Sequence, residues 1–454
     1  MSARLIESLA TTGPLAELFS DQSVLQEMLD FEAALAQAEA RLGIVPQAAA
    51  DAISAVAKVE AFDTAALARD TLRAGTPGIP LVKALTERVR ALNPEAARFV
   101  HWGATSQDVA DTALILLLKR ARGILANDLS RLEQALLRLS EQHEKTMMLG
   151  RTLMQSAPPV TFGLKAAGWL GAIRRSKRRL EDAFPQALVL QFGGGSGTLA
   201  SIGEQGLAVA GVLASELELG VPDAPWHTQR DRLAALLCAC GVLTGGLGKM
   251  ARDISLLMQG EVGEVAEPGG EGRGGSSTMP HKRNPIGSAV TLAASHRLPG
   301  EIAAFLSAMV QEHERGVGGW QAEWPIVAAI IQGTGVALAS MAEVAEGLSV
   351  DANRMRSNIE ATHGVIFAEH AMMLLGPKLG RDVAHKVLEE ATRTSIAQGR
   401  HLVEVLAEMR EVTRHLDKAT LDQLEAAEKY LGVAREFRKR LLSSAGQPGF
   451  SEKE

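Results

Sequence analysis

From Asp111 to Leu149 the chain holds no proline and one glycine, and Leu125, Leu129, Leu132, Leu136 and Leu139 follow one another at steps of four and three. That spacing is the seam of a helix packed lengthwise against others. At ~1.5 Å per residue it predicts a helix close to 60 Å long. Further helical patterns run over Pro159 to Leu180, Gly203 to Leu219, Arg230 to Gln259, Ile286 to Gln311 and Pro325 to Leu348. Within them, Leu233 to Gly248 and Pro325 to Ala342 carry no charge. Both are interrupted by glycines or polar residues and fall short of the ~20 apolar residues a membrane span needs. They read as helices buried on all sides of a large bundle.

Before Asp111 the helical patterns are shorter and are broken by "GIVPQ", "AGTPGIP" and "ALNPE". After Leu348 the pattern resets at "SVDANRM" and "ATHG", and shorter, charged helices lead to a polar tail from Ser443. The expected fold is all-α in three domains: an N-terminal helical domain over 1–111, a central long-helix bundle over 112–348, and a C-terminal helical domain over 349–454. The apolar surface of the long helices exceeds what one chain covers, so a core shared between subunits is expected.

Composition agrees with helix. Of 454 residues, 46% are hydrophobic and only 4% aromatic, a balance carried by good helix formers. The net charge of −6 argues against nucleic acid or an anionic membrane as a partner. Cys238 and Cys240 lie in an apolar run without the neighbours a metal site needs, and are read as small buried residues in a reducing compartment. "MSARLIESLATTG" shows no secretory h-region, and a cytoplasmic location is expected. No metal-ligand spacing occurs among the eleven histidines, and no metal is expected.

Two stretches invite other readings. "LVLQFGGGSGTLA", Leu188 to Ala200, resembles a strand followed by a dinucleotide-binding turn. No second strand follows where a βαβ unit requires one, so a glycine-rich interruption between bundle helices is the reading taken. "RRSKRR", Arg174 to Arg179, is read as a solvated helix face rather than a nucleic-acid patch.

"GGSSTMPHKRNP", Gly274 to Pro285, is too irregular for a helix and too polar for a core strand. Its glycines let backbone amides approach an anion closely. Ser276 can exchange a proton if its alkoxide is stabilised, and Lys282 is the nearest cation in sequence. Asn284 adds a neutral donor. On spacing alone, a polar surface loop is an equally good account.

This loop resembles the signature of the fumarase/aspartase superfamily, G-S-S-x-M-P-x-K-x-N. "HWGATSQD", His101 to Asp108, and "GRTLMQ", Gly150 to Gln155, are similar to two further segments of that superfamily, in the same order. The resemblance implies that Ser276 exchanges a proton at the carbon beside a substrate carboxylate, and that Lys282 and Asn284 stabilise the aci-carboxylate. It implies that Thr105, Ser106 and Gln155 hold substrate carboxylates, with His101 beside them and Met279 among the loop's substrate contacts. It further implies no cofactor, and a homotetramer in which the three segments meet from three subunits.

One position departs. The superfamily's acid/base histidine falls at Leu153, which cannot carry a proton. A carboxylate nucleophile is ionised at neutral pH and needs no base, so the departure points to a reaction with a single proton transfer. Intramolecular lactonisation is such a reaction. Segments including "PWHTQRDRL", "ARDISLLMQ" and "QEHERGVGGWQAEW" resemble the bacterial 3-carboxymuconate cycloisomerase family, which implies a small tricarboxylate substrate. Candidate cations for it are Arg151, Arg230, Lys282, Arg283 and Arg315, since guanidinium groups clamp carboxylates bidentately. For each arginine outside the loop, an intersubunit ion pair is the competing account. His281 and His313 are alternative proton carriers, and Glu323 is as well explained by structure as by function. A superfamily lyase on a succinyl-type substrate and a non-catalytic structural protein remain the alternatives.

Overall fold

The computed structural model describes residues 5–270, 274–275, 279, 282–424 and 426–443. In chain order the helices are α1 (Gly13–Leu18), α2 (Asp21–Arg41), α3 (Gln47–Val56), α4 (Thr64–Ala74), α5 (Gly78–Leu92), α6 (Ser106–Gln142), α7 (Phe162–Ala187), α8 (Gly206–Leu217), α9 (Asp231–Leu257), α10 (Ile286–Ala308) and α11 (Gly319–Gly347). Shorter helices follow, among them α12 (Ala352–Glu360), α13 (Ala368–Leu379) and α14 (Arg381–Gln398). The strands among the described residues form two antiparallel pairs: β1 (Met147–Thr152) with β2 (Gln155–Thr161), and β3 (Val265–Ala266) with β4 (Ser349–Val350). The fold is all-α with these small additions. Contacts group it into two compact units, one of residues 1–130, 175–248 and 290–340, the other of 131–174, 249–289 and 341–454. Both cut across the long helices, whereas the division at 111/112 and 348/349 follows breaks in sequence pattern.

The α6 seam is closed: Leu125, Leu129, Leu132, Leu136 and Leu139 are each at most 5% exposed. Helices α9 and α11 extend past the uncharged runs to 27 and 29 residues, and by length and composition both are long enough to cross a membrane. In each, 61% of the apolar window is buried inside the protein, as expected of core helices. Helix α11 begins six residues before Pro325, where the sequence pattern places its start. Its first turns are anchored by Trp320, which donates to Asp111, and by Glu323, which accepts from Arg230. Those tertiary bonds compensate for the ladder bond Pro325 cannot make.

The second departure is at Met147–Thr161, where a continuation of the α6 helix through Leu149 and a new helix from Pro159 are expected. A hairpin stands there instead, with a register shift at Leu149/Gly150. Gly150 cannot be another residue without a shift, because a Cβ would lie 2.4 Å from the Pro158 carbonyl oxygen. Leu153 and Met154 form the two-residue tip at φ 49° and 67°, the positive-φ pair of a type I′ turn that fits the strand twist.

In the first unit, α2 carries the N-terminal core. Ser20 caps it by accepting from the Ser23 amide, and Asp21 and Arg41 sit at the dipole ends they favour. Its apolar face, including Leu25, Met28, Phe31 and Leu35, joins a cluster with α3, α5, α6 and α8. Glu32 and Glu39 lie on this same stripe and are buried. Neither carboxylate oxygen of Glu39 has a hydrogen-bond partner among the described residues. Burial, reinforced by the Glu32 charge, pushes its pKa up to about 8. A raised carboxyl pKa favours the fold below the unfolded value, and that advantage is lost as pH rises toward 8. Glu39→Gln should therefore unfold with near wild-type stability at pH 5 and gain about 1–3 kcal/mol by pH 8. Chemical denaturation across that range checks it, and a gain independent of pH would contradict it.

Candidate active site

The first unit brings four of the expected residues to one place. Helix α6 begins directly after the turn His101–Thr105, and Asp108 in its first turn accepts from the Thr105 amide at 3.0 Å. The same buried carboxylate accepts from the amides of Gly193 (3.1 Å) and Gly194 (2.9 Å) and lies 2.7 Å from His227 Nε2. Gly194 has φ 68°, and a Cβ there would lie 2.9 Å from the Gly103 carbonyl oxygen. The glycine-rich segment between α7 and α8 is thus wrapped around Asp108, in accord with its reading as an interruption between helices. Arg315 closes the far side, donating to Thr105 Oγ1 (3.3 Å), Gly194 O (3.3 Å) and Gly195 O (2.8 Å). His101, Thr105, Ser106 and Arg315 all remain partly exposed. Together they form a polar shelf with a hydroxyl and a guanidinium side by side, a combination that receives carboxylates.

His101 adopts φ 60°, and its Nδ1 lies 2.6 Å from Glu32 Oε1. Burial alone would lower its pKa, but the charge and hydrogen bond of Glu32, with Asp108, outweigh burial and raise it. Glu32 is a residue that motif reading misses. A signal for it exists: Leu25, Met28, Glu32, Leu35 and Glu39 are spaced at three and four, which places two acids on a core stripe.

Arg230 is placed differently from its expected substrate-binding role. It is 1% exposed and its guanidinium is taken up by two carboxylates of the same chain. It donates to Asp111 at 2.7 and 3.1 Å and to Glu323 at 2.6 to 3.2 Å, while stacking on Trp226 at 4.6 Å. Gln107, Gln191 and Trp320 also donate to Asp111, and Gln311 to Glu323. Glu323 belongs to this buried network too. Burial raises its pKa and the Arg230 charge opposes the rise. His313 is exposed at φ 46°, and its carbonyl accepts from Thr228.

The remaining expected residues lie in the second unit. Leu153, at the tip of the hairpin, is 97% exposed. Arg151 on β1 makes a bidentate pair with buried Glu264 at 2.5 and 3.0 Å, and Asn358 donates to the same carboxylate. Its partner is thus within the chain. Gln155 opens β2 with an exposed side chain. In the signature loop, Ser276 and His281 lie outside the described residues. Met279, Lys282 and Arg283 are exposed and Asn284 is partly so. The Asn284 amide donates to Gly274 O, and the Lys282 amide to Met279 O. The loop's far end is held where Glu267 accepts from the Gly287 and Ser288 amides and the Ser288 hydroxyl, at 2.6 to 2.9 Å.

The lyase family model matches residues 8–300, and a second family, the adenylosuccinate lyase C-terminus, matches 364–441. With relatives of high identity over nearly the whole chain, this places the protein in the lyase family, within the fumarase/aspartase superfamily. It is similar to the 3-carboxy-cis,cis-muconate cycloisomerase of Pseudomonas aeruginosa, 49% identical over 98% of this chain and 97% of the other. The enzyme of that name from Bradyrhizobium diazoefficiens is 47% identical, covering 97% and 98%. The crystal structure of the 3-carboxy-cis,cis-muconate lactonizing enzyme from Pseudomonas putida matches with a TM-score of 0.91 at 46% identity, covering 97% and 98% of the two chains.

Proposed function

We propose that this protein is a cycloisomerase that lactonises 3-carboxy-cis,cis-muconate to a carboxymuconolactone, a step in aromatic catabolism. One substrate carboxylate oxygen bonds to a carbon of the conjugated diene, and the displaced π electrons move onto the carbon beside another carboxylate as an aci-carboxylate. A proton delivered to that carbon completes the product. Ser276 is assigned the proton delivery, and Lys282 and Asn284 the stabilisation of the aci-carboxylate, on the strength of the signature loop. Thr105, Ser106, His101, Arg315, Gln155, Met279 and Arg283 are assigned to the substrate. Arg151 belongs to that set only if substrate displaces its Glu264 partner. A cytoplasmic homotetramer with sites composed from three subunits is the proposed working form.

The observation that carries the reading is Leu153 at the exposed hairpin tip, where the superfamily's acid/base histidine falls. The chemistry assigned here needs no group there, because its nucleophile is already charged. Purified protein should consume 3-carboxy-cis,cis-muconate with loss of the diene's ultraviolet absorbance. Unchanged absorbance together with fumarate release from a succinyl-type substrate would favour a lyase instead. Leu153→His should leave the lactonisation rate within about threefold of wild type, since general-base assistance would otherwise contribute factors of 10² or more. Stopped-flow turnover checks this, and a large rate gain would contradict the single-transfer reaction.

A further inference from the structure

The first unit holds a buried carboxylate to which the lactonisation chemistry gives no task. The Glu32 side chain is 0% exposed, Oε1 is 2.6 Å from His101 Nδ1, and Oε2 has no partner among the described residues. A carboxylate buried with so little hydrogen bonding is costly unless its partner is cationic. His101 is 16% exposed, and its Nε2 makes no hydrogen bond among the described residues. Its left-handed backbone, at φ 60°, is a conformation few non-glycine residues adopt. The ring is therefore fixed from one side and open on the other, at the turn that leads to Thr105 and its Arg315 partner.

We propose that Glu32 is a positioning residue for this site: by occupying Nδ1 it fixes the His101 ring and favours its protonated form, whose Nε2–H is a charge-assisted donor for one carboxylate of a polycarboxylate substrate. The titratable and charged groups near the Glu32–His101 pair are Glu39, one heptad on in α2, Asp108 in α6, and Arg315 in the segment before α11, which reaches Thr105. Glu39, with its pKa pushed up to about 8, carries little charge at pH 7. Arg315 donates to Thr105 Oγ1 and to the carbonyls of Gly194 and Gly195. Glu32 and Asp108 raise the His101 pKa against the opposing effect of burial. Affinity for a polycarboxylate should then be full below that raised value and fall as pH rises through it. The substrate's identity rests on the lactonising reading; the Glu32–His101 pairing does not.

The test is calorimetric binding of tricarballylate, a saturated tricarboxylate that cannot react, from pH 6 to 9, beside kcat and KM for 3-carboxy-cis,cis-muconate. Glu32→Gln keeps the shape and removes the charge. At pH 7 it should weaken tricarballylate binding roughly tenfold to a hundredfold, the worth of a hydrogen bond to a charged group. The fall of affinity with pH should move to lower pH. KM should rise by a similar factor while kcat falls much less, and Glu32→Asp should restore most of the affinity. A Glu32→Gln protein that assembles normally yet keeps wild-type affinity and pH dependence would overturn the proposal. So would a loss confined to kcat, or a wild type that does not bind tricarballylate. Should Glu32→Gln not fold, His101→Gln must lose both the affinity and its pH dependence, and retention of either overturns the proposal. A wild type that binds tricarballylate in this pH-dependent way but does not turn over the muconate would refute the lactonising reading alone.

Discussion

Ser276→Ala should lower kcat for lactonisation by about 10²–10⁴-fold, the usual worth of a positioned proton donor, and leave the assembled protein unchanged in size. The reasoning is chemical. Ring closure places negative charge on a carbon next to a carboxylate, and that charge is quenched only by a proton arriving there. The hydroxyl is the one group in the signature loop that both resembles the superfamily's proton carrier and sits within six residues of an ammonium, Lys282. Methyl in its place keeps the chain's fold and removes the proton. KM should change little, since the hydroxyl acts on the transition state more than on bound substrate. Steady-state kinetics with light scattering checks both halves. Full retention of kcat would move the donor elsewhere, with His281 the first alternative.

The largest effect on stability is expected from Arg230→Met. Removing the guanidinium leaves Asp111 and Glu323 facing each other in the core, 1% and 0% exposed. Breaking a buried ion pair from one side costs about 3–5 kcal/mol. Neutralising Asp111 and Glu323 as well, as Arg230→Met with Asp111→Asn and Glu323→Gln, should recover much of the loss, because the uncompensated charge drives it. Chemical denaturation of the single and triple variants decides this. A single variant as stable as wild type would mean that the network contributes nothing net.

The long helices were legible because their burial repeats along the chain: a leucine seam five members long leaves one packing geometry open. The glycine-rich segment was legible for a related reason, since helical period resumes on both sides of it. The hairpin was not. Met147 to Leu149 is apolar enough to continue a helix, and what makes it a strand is pairing with Pro159 to Thr161, which no local pattern announces. The partners of Arg230 are hidden from the sequence for the same physical reason. A lone arginine in sequence shows its charge but not its partners, and these stand 119 residues before it and 93 after it. The candidate catalytic residues came from motif likeness rather than periodicity. The Thr105–Arg315 shelf is legible afterwards as geometry, held by Asp108 across three segments.

In the proposed reaction a hydroxyl in the signature loop delivers the proton that completes ring closure. This step is tested most directly by running the reaction in deuterated water and following the lactone by mass and by NMR, for wild type and for Ser276→Ala. One deuteron per product is expected, on the carbon beside a carboxylate, formed rapidly by wild type and slowed by orders of magnitude in the variant. A lactone without deuterium, or one labelled as fast by the variant as by wild type, would contradict it.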